Sequence, residues 1–152
     1  MSAAHILVVD DEADIRGLLK EILSEEGYDV DVAGDAGQAR ASRARQLPDL
    51  VLLDIWMPDT DGITLLKEWA SAGLLTMPVV MMSGHGTIDT AVEATRMGAF
   101  DFLEKPIALQ KLLTTARLAG RALFLGDYTG LAATSTTFVP FNGRTTGNAS
   151  KR

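Results

Sequence analysis

The chain has 152 residues, of which 47% are hydrophobic and 22% charged, so it can form one domain with a buried core but not two. The net charge is −6, and residues 1–126 carry −8 because the last 26 residues hold one acidic and three basic side chains. The strongly negative charge of residues 1–126 argues against direct binding to nucleic acid. The lack of cysteine excludes a disulfide scaffold and thiolate metal sites, and we expect a cytoplasmic protein because we find neither a secretory signal nor an apolar run of membrane-spanning length.

Short apolar runs alternate with helix-forming stretches along the first 124 residues. The apolar runs are long enough for strands and too short for helices; they lie at 6–9, 28–33, 50–53, 79–82 and 100–104. A helix is predicted after each of them, at about 14–26, 36–46, 62–72, 88–97 and 109–124. Strict alternation predicts a doubly wound parallel sheet with helices on both faces, and five strands favour the flavodoxin-like order 2-1-3-4-5.

Individual residues mark helix ends and orientations. Asp35 is a predicted N-cap, and Asp59 and Asp61 are predicted to act as turn and helix-cap residues. In the fourth helix, Val92 is expected to face the core. His5 is expected at the surface, before the first strand.

Polar side chains follow four of the predicted strands. The C-terminal ends of parallel strands meet at one edge of a sheet, and the residues found there are Asp10, Asp11, Asp54, Ser83 and Lys105. Two carboxylates ~5 Å apart repel by about 3 kcal/mol at an effective dielectric near 20, so the three aspartates should raise their pKa values or recruit a cation. Since the ligands are oxygen atoms, the expected ion is Mg²⁺.

This set of residues suits chemistry on a phosphoryl group. Ser83, Lys105 and the glycine-rich turn at 84–86 can hold phosphate oxygens. We expect the Asp54 carboxylate to attack the phosphoryl group while Mg²⁺ and Lys105 carry its charge. A single acidic residue at a strand end is usually a solvated loop group or a cap, so the hypothesis depends on five residues converging.

The same segments resemble the receiver domain of two-component response regulators. The resemblance rests on Asp10-Asp11, the segment 52–62, Ser83-Gly84 and Lys105-Pro106, and it covers residues 5 to about 124. Segments 54–69 and 82–89 are most similar to regulators of the NtrC/NtrX nitrogen-response type. Regulators of the NtrC type continue into an ATPase and a DNA-binding domain. Here a receiver domain at 1–126 is followed by 127–152, which is rich in Thr, Ser, Gly and Asn and is expected to be a disordered tail.

The resemblance implies a role for each site residue. Asp54 would accept phosphate from the phosphohistidine of a sensor histidine kinase. Asp11 would bind Mg²⁺ directly and Asp10 through water, with Asp54 and the backbone carbonyl of Trp56 as further ligands. Lys105 would pair with the phosphoryl group, and its bond to the following proline would be cis.

The resemblance also implies a switch. Ser83 would move toward the phosphate, and Phe102 would change rotamer with it; because Phe102 has no hydroxyl, only the packing part of such a switch can operate. The face made by the fourth helix, fifth strand and fifth helix would change its affinity for a downstream effector, and it is also the candidate surface for a homodimer. Trp56 and His85 should lie in loops beside the site, where they either pack or limit access of water.

Two other classes of protein share parts of the pattern. A haloacid-dehalogenase-like phosphatase needs a second aspartate two residues after the nucleophile, where this chain has Trp56. A flavodoxin-like FMN-binding module needs a Ser/Thr/Gly loop after the first strand, where this chain has Asp10, Asp11 and Glu12. We therefore expect a phosphoacceptor that assists its own phosphorylation and dephosphorylation and turns over no external substrate.

Overall fold

Five strands and five helices alternate strictly in the part of the chain that the computed structural model describes, residues 4–84 and 88–124. The strands are β1 (His5–Val9), β2 (Asp29–Ala33), β3 (Leu50–Asp54), β4 (Val79–Ser83) and β5 (Asp101–Glu104). The helices are α1 (Ala13–Glu25), α2 (Ala36–Arg45), α3 (Gly62–Ser71), α4 (Ile88–Arg96) and α5 (Leu109–Phe124). Each predicted element is therefore present, with its ends within two residues of the predicted ones. The predicted tail at 127–152 and the side chain of His85 lie outside the described residues.

The five strands form one parallel sheet in the order β2-β1-β3-β4-β5, which confirms the predicted topology. Every residue of β1, β3 and β4 is buried, which explains their continuous apolar sequences. The edge strand β2 instead mixes exposed and buried residues. Within residues 4–84 and 88–124, no helix is long and apolar enough to cross a membrane.

The sheet separates two hydrophobic cores. Alternate residues of β1 point to opposite faces, as the period of two in a strand requires: Leu7 and Val9 join one core, and Ile6 and Val8 join the other. The first core is closed by residues of α2, α3 and α4, including the fully buried Trp69. The second is closed by residues of α1 and α5. The helices thus cover both faces and leave the strand ends available for a site.

Predicted caps begin two of the helices, and a glycine ends one of them. The Asp35 carboxylate accepts a hydrogen bond from the backbone N–H of Gln38 at 2.7 Å, and the Asp61 carboxylate accepts one from Thr64 at 2.8 Å. Gly73 follows α3 with a φ of 74°, a left-handed conformation that ends helices and that glycine adopts without strain.

The orientation predicted for His5 is wrong. The residue belongs to β1, pairs with Asp29 of β2 and is only 4% exposed. Its two ring nitrogens each lie 3.3 Å from a carboxylate oxygen, one of Asp29 and one of Asp31. The prediction of an exposed His5 failed because Asp29 and Asp31 of the neighbouring strand cover the imidazole, and this contact cannot be recognised from the local sequence.

The orientation predicted for Val92 is also wrong. Val92 is 44% exposed, whereas Ala94 of the same helix is a core residue. Two positions two residues apart in an α-helix lie about 200° apart around its axis, so a helix that buries Ala94 must turn Val92 outward.

Candidate functional site

The parallel sheet brings the ends of β1 and β3 together. Val9 is paired with Leu53, so the residues that follow, Asp10 and Asp54, lie at equivalent positions on neighbouring strands. Both are buried, with exposed fractions of 0% and 3%. A buried carboxylate is costly unless it has a counter-charge or takes up a proton, so these two residues need compensation.

Three carboxylates form a cluster at this edge. One oxygen each of Asp10, Asp11 and Asp54 lies within 4.8 Å of the other two, and Asp11 is exposed. Burial, followed by the charge of Asp10, raises the pKa of Asp54 to about 7, although Lys105 acts in the opposite direction. In the absence of a further cation, the Asp54 carboxyl is therefore only partly ionised near neutral pH.

Lys105 supplies the positive charge of the site. Its Nζ lies 2.7 Å from Asp10 Oδ2, 3.3 Å from Glu12 Oε1 and 3.4 Å from Asp54 Oδ1. Burial alone would lower the pKa of Lys105, but the hydrogen bond with Asp10 and the charges of Asp54 and Asp10 raise it above its usual value. Lys105 therefore remains an ammonium ion among carboxylates.

The end of β4 holds Lys105 in place. The backbone N–H of Lys105 donates to the carbonyl of Ser83 at 2.7 Å, and the Lys105–Pro106 bond is cis, as the resemblance implies. Ser83 is 3% exposed and pairs with Glu104 of β5. Ser83 thus lies at the edge where it was predicted, one strand away from Asp54.

Phe102 lies on β5, three residues before Lys105. It is partly buried, pairs with Met81 of β4 and packs against the core closed by α2, α3 and α4. A change of its rotamer would therefore alter the packing of side chains in the core on the α4 side of the sheet.

The loop between β3 and α3 returns closely to Asp54. The N–H of Gly62 donates to the carbonyl of Ile55 at 2.7 Å, and a Cβ at Gly62 would collide with the carbonyl oxygen of Asp54. Glycine is therefore required here for close approach of the backbone. Trp56 lies in this loop beside the site and is 58% exposed.

Asp59 caps a helix other than the one that follows it. Its carboxylate accepts hydrogen bonds from the N–H groups of Ala36 and Gly37 at 3.1 and 3.2 Å and from Thr60 at 2.7 Å. The bond from Ala36 leads the contacts that hold the pKa of Asp59 below its usual value. Its predicted role as a capping residue is confirmed, but the helix is α2, so Asp59 ties two loops beside the site together.

Two residues of the site were not predicted, Glu12 and Arg16. Glu12 contacts Lys105 as described above, and Nη1 of Arg16 donates to the backbone carbonyl of Asp10 at 2.7 Å. One feature of the sequence could have identified Arg16: it lies in the first turn of α1, where the helix dipole disfavours a cation. A basic residue in such a place needs another reason, and here the reason is a carbonyl of the preceding loop.

The donor set at this edge fits Mg²⁺. Asp10, Asp11 and Asp54 offer only oxygen atoms, which a hard cation prefers, and the exposure of Asp11 leaves room for water ligands. Burial and the charge of Asp10 raise the pKa of Asp54, and a bound cation would offset this by favouring the charged carboxylate.

Comparison with known proteins agrees with this geometry. The family model described as the response regulator receiver domain matches residues 6–117. The nitrogen assimilation regulatory protein NtrX of Azorhizobium caulinodans is 45% identical over 125 residues, which are 81% of this chain and 27% of that protein. The regulatory protein AtoC of Escherichia coli strain K12 is 42% identical over 108 residues, 71% of this chain and 23% of that protein. The chain thus spans about a quarter of the length of the curated relatives it matches.

Solved structures show the same relationship. The receiver domain of NtrX from Brucella abortus superposes with a TM-score of 0.72 at 48% identity, covering 76% of this chain and 98% of that one. The longer NtrX structure from the same organism gives 0.77 at 47% identity, covering 82% of this chain and 28% of that one. The family match decides against both the phosphatase and the FMN-binding alternatives. The chain belongs to the response regulator receiver domain family, and it is similar to the receivers of NtrX-type regulators.

Proposed function

We propose that Asp54 is the phosphoacceptor and that a sensor histidine kinase is the donor. The observation that carries this proposal is a buried carboxylate at a strand end, 3.4 Å from an ammonium and clustered with two further carboxylates. In the proposed step an Asp54 oxygen bonds to phosphorus while the P–N bond of phosphohistidine breaks. The imidazole nitrogen leaves with the electron pair and takes up a proton.

Lys105 stabilises the transferred group. Its ammonium is already held at the edge by Asp10, so it can pair with phosphoryl oxygens on Asp54 with little reorganisation. The raised pKa of Lys105 supports this role, because the residue keeps its charge throughout the physiological range.

Mg²⁺ is the proposed cofactor. Asp11 would bind it directly and Asp10 through water, and Asp54 and the carbonyl of Trp56 would complete the protein ligands. When bound, the ion supplies positive charge against the oxygens of the transferring phosphoryl group.

The proposed output is a change in the face formed by α4, β5 and α5. Ser83 would move toward the phosphoryl group and Phe102 would follow by repacking. Their positions, at the end of β4 and within β5, connect the site to that face. A downstream effector, or a second copy of this chain in a homodimer, would recognise the altered face.

The remaining parts of the proposal follow from the family and the charge. The chain acts as a phosphoacceptor that assists its own phosphorylation and dephosphorylation, without turning over an external substrate. It works in the cytoplasm, and its acidic body makes no direct contact with nucleic acid.

Phosphorylation by acetyl phosphate tests the proposed site chemistry. The protein should be labelled with Mg²⁺ present and not with excess chelator, and Asp11→Asn should need a higher Mg²⁺ concentration. Asp14→Asn, which removes an exposed carboxylate from α1, should behave like the parent. Labelling that persists in chelator would contradict the metal's role, and failure to label from either acetyl phosphate or a phosphorylated kinase would overturn the function.

A further inference from the structure

We propose that Arg16 is a positioning residue for the metal site, acting through the backbone between Asp10 and Asp11. This inference rests on the proposed function, because it concerns the ligands of the proposed Mg²⁺ site. Arg16 does not belong to the ligand set. It contacts the loop that carries the set.

The first argument is that Asp10 is held on four sides. Its N–H donates to the carbonyl of Ala33 at 3.0 Å, and its Oδ1 accepts from the N–H of Glu12 at 2.9 Å. Its Oδ2 is paired with Lys105 at 2.7 Å. Arg16 holds the fourth group, the carbonyl oxygen, also at 2.7 Å. The guanidinium thus completes the fixation of a residue that has no exposed surface.

The second argument concerns Asp11. The carbonyl of Asp10 and the N–H of Asp11 belong to one planar peptide unit. Fixing that carbonyl therefore fixes the plane from which the Asp11 side chain departs. Because Asp11 is exposed, surrounding core residues do not hold its carboxylate in place. In this proposal the contact between Arg16 and the Asp10 carbonyl orients the Asp11 carboxylate.

The third argument is that the chain leaves space for this guanidinium. A Cβ on Gly34, in the turn between β2 and α2, would lie 3.1 Å from Nη1 and 3.4 Å from Cζ of Arg16. The backbone of Gly34 is not in the left-handed region, so glycine is not needed there for its conformation. A side chain at position 34 would instead press on the Arg16 guanidinium.

Charge alone predicts the opposite effect on metal binding. A cation beside the cluster repels Mg²⁺, so removing Arg16 for its charge should tighten Mg²⁺ binding. Removing a positioning contact should weaken it, as loss of outer contacts to metal ligands does. The direction of the change therefore separates the two roles.

The test is a calorimetric Mg²⁺ titration of the intact chain and its variants. Arg16→Met and Gly34→Val should each weaken binding about 10-fold, and Gly34→Val does so with the arginine charge retained. Arg16→Lys, which keeps a donor and a charge, should recover part of the loss. Lys20→Met removes an exposed cation from the same helix and should leave binding unchanged or slightly tighter.

Two outcomes overturn the inference. If the parent binds Mg²⁺ in a manner that depends on Asp11, but Arg16→Met binds equally well or more tightly, the positioning role is wrong and the proposed function stands. If the parent does not bind Mg²⁺, or if Asp11→Asn binds like the parent, the proposed site itself is wrong and the inference falls with it. Circular dichroism and melting curves establish that each variant is folded, and Arg16→Met decides the question if Gly34→Val is not.

Discussion

The ammonium of Lys105 lies closer to Asp10 than to Asp54, at 2.7 Å from Asp10 Oδ2 and 3.4 Å from Asp54 Oδ1. Its charge is thus shared, with the shorter contact to the carboxylate that has no exposed surface. Asp54 receives the smaller part of the compensation, and burial together with Asp10 raises its pKa to about 7. One site therefore contains a fixed cation and a carboxyl group that titrates near neutrality.

Phosphorylation should depend on pH through Asp54. Only the ionised carboxylate attacks phosphorus, and with a pKa of about 7 this form is lost as the pH falls through neutrality. At low Mg²⁺ concentration, the rate of phosphorylation by acetyl phosphate should fall about tenfold for each pH unit well below the pKa. Added Mg²⁺ favours the charged form, so the midpoint should move to lower pH as its concentration rises. A midpoint that Mg²⁺ leaves unchanged would contradict the shared cluster.

Replacing Lys105 with methionine should damage both stability and reactivity. The change leaves Asp10 as a buried carboxylate without its cation, which should cost about 3 kcal/mol of unfolding free energy. It also removes the group that lowers the pKa of Asp54, so the midpoint of the pH–rate profile should rise. Urea unfolding and the pH–rate profile measure the two effects. Lys111→Met, an exposed change on α5, should alter neither.

Asp54→Asn should stabilise the protein in the presence of a chelator. The folded-state pKa is raised from 3.8 to about 7, so the folded state binds more protons than the unfolded state between these values. Stability should therefore fall as the pH rises through this window, and asparagine removes the loss. We expect a gain of up to about 4 kcal/mol at about pH 8, which shrinks toward pH 4. Urea unfolding at several pH values checks this, and a pH-independent loss of stability would contradict it.

Gly62→Ala should destabilise the β3–α3 loop. The added methyl group would collide with the carbonyl oxygen of Asp54, so the backbone must move at a cost of about 2 kcal/mol. The matched control is Gly17→Ala in α1, where, apart from its chain neighbours and the backbone of its own helix, no atom lies within 4 Å of the added Cβ. That change should be neutral or stabilise by up to about 1 kcal/mol, because alanine favours helix. Equal effects in urea unfolding would show that the close approach is unimportant.

The sequence predicts the sheet and the charged cluster at its edge for the same physical reason. Fully buried parallel strands give continuous apolar runs, and such strands end at a common edge. Asp10, Asp54 and Lys105 could therefore be placed together before any distance was known. The capping roles of Asp35 and Asp61 were equally accessible, since each bonds to an N–H group three residues later.

Contacts that depend on the path of loops could not be predicted from the sequence pattern. Asp59 caps a helix that begins 23 residues earlier in the chain, and Arg16 bonds to the backbone carbonyl of Asp10, a residue that three other contacts also hold. His5 is buried by residues of a neighbouring strand. Local periodicity contains no information on such pairs. The rotation of α4, which buries Ala94 and exposes Val92, was likewise not predicted from the local pattern.

The central claim, that Asp54 carries the phosphoryl group, is tested most directly by locating it. After reaction with acetyl phosphate and Mg²⁺, borohydride reduction converts an aspartyl phosphate to homoserine, and peptide mass mapping identifies its position. We expect homoserine at position 54 and none in Asp54→Asn, while Asp61→Asn, which keeps a capping side chain, should still give it at position 54. Homoserine at position 10 or 11 in the parent, or undiminished labelling of Asp54→Asn, would contradict the account.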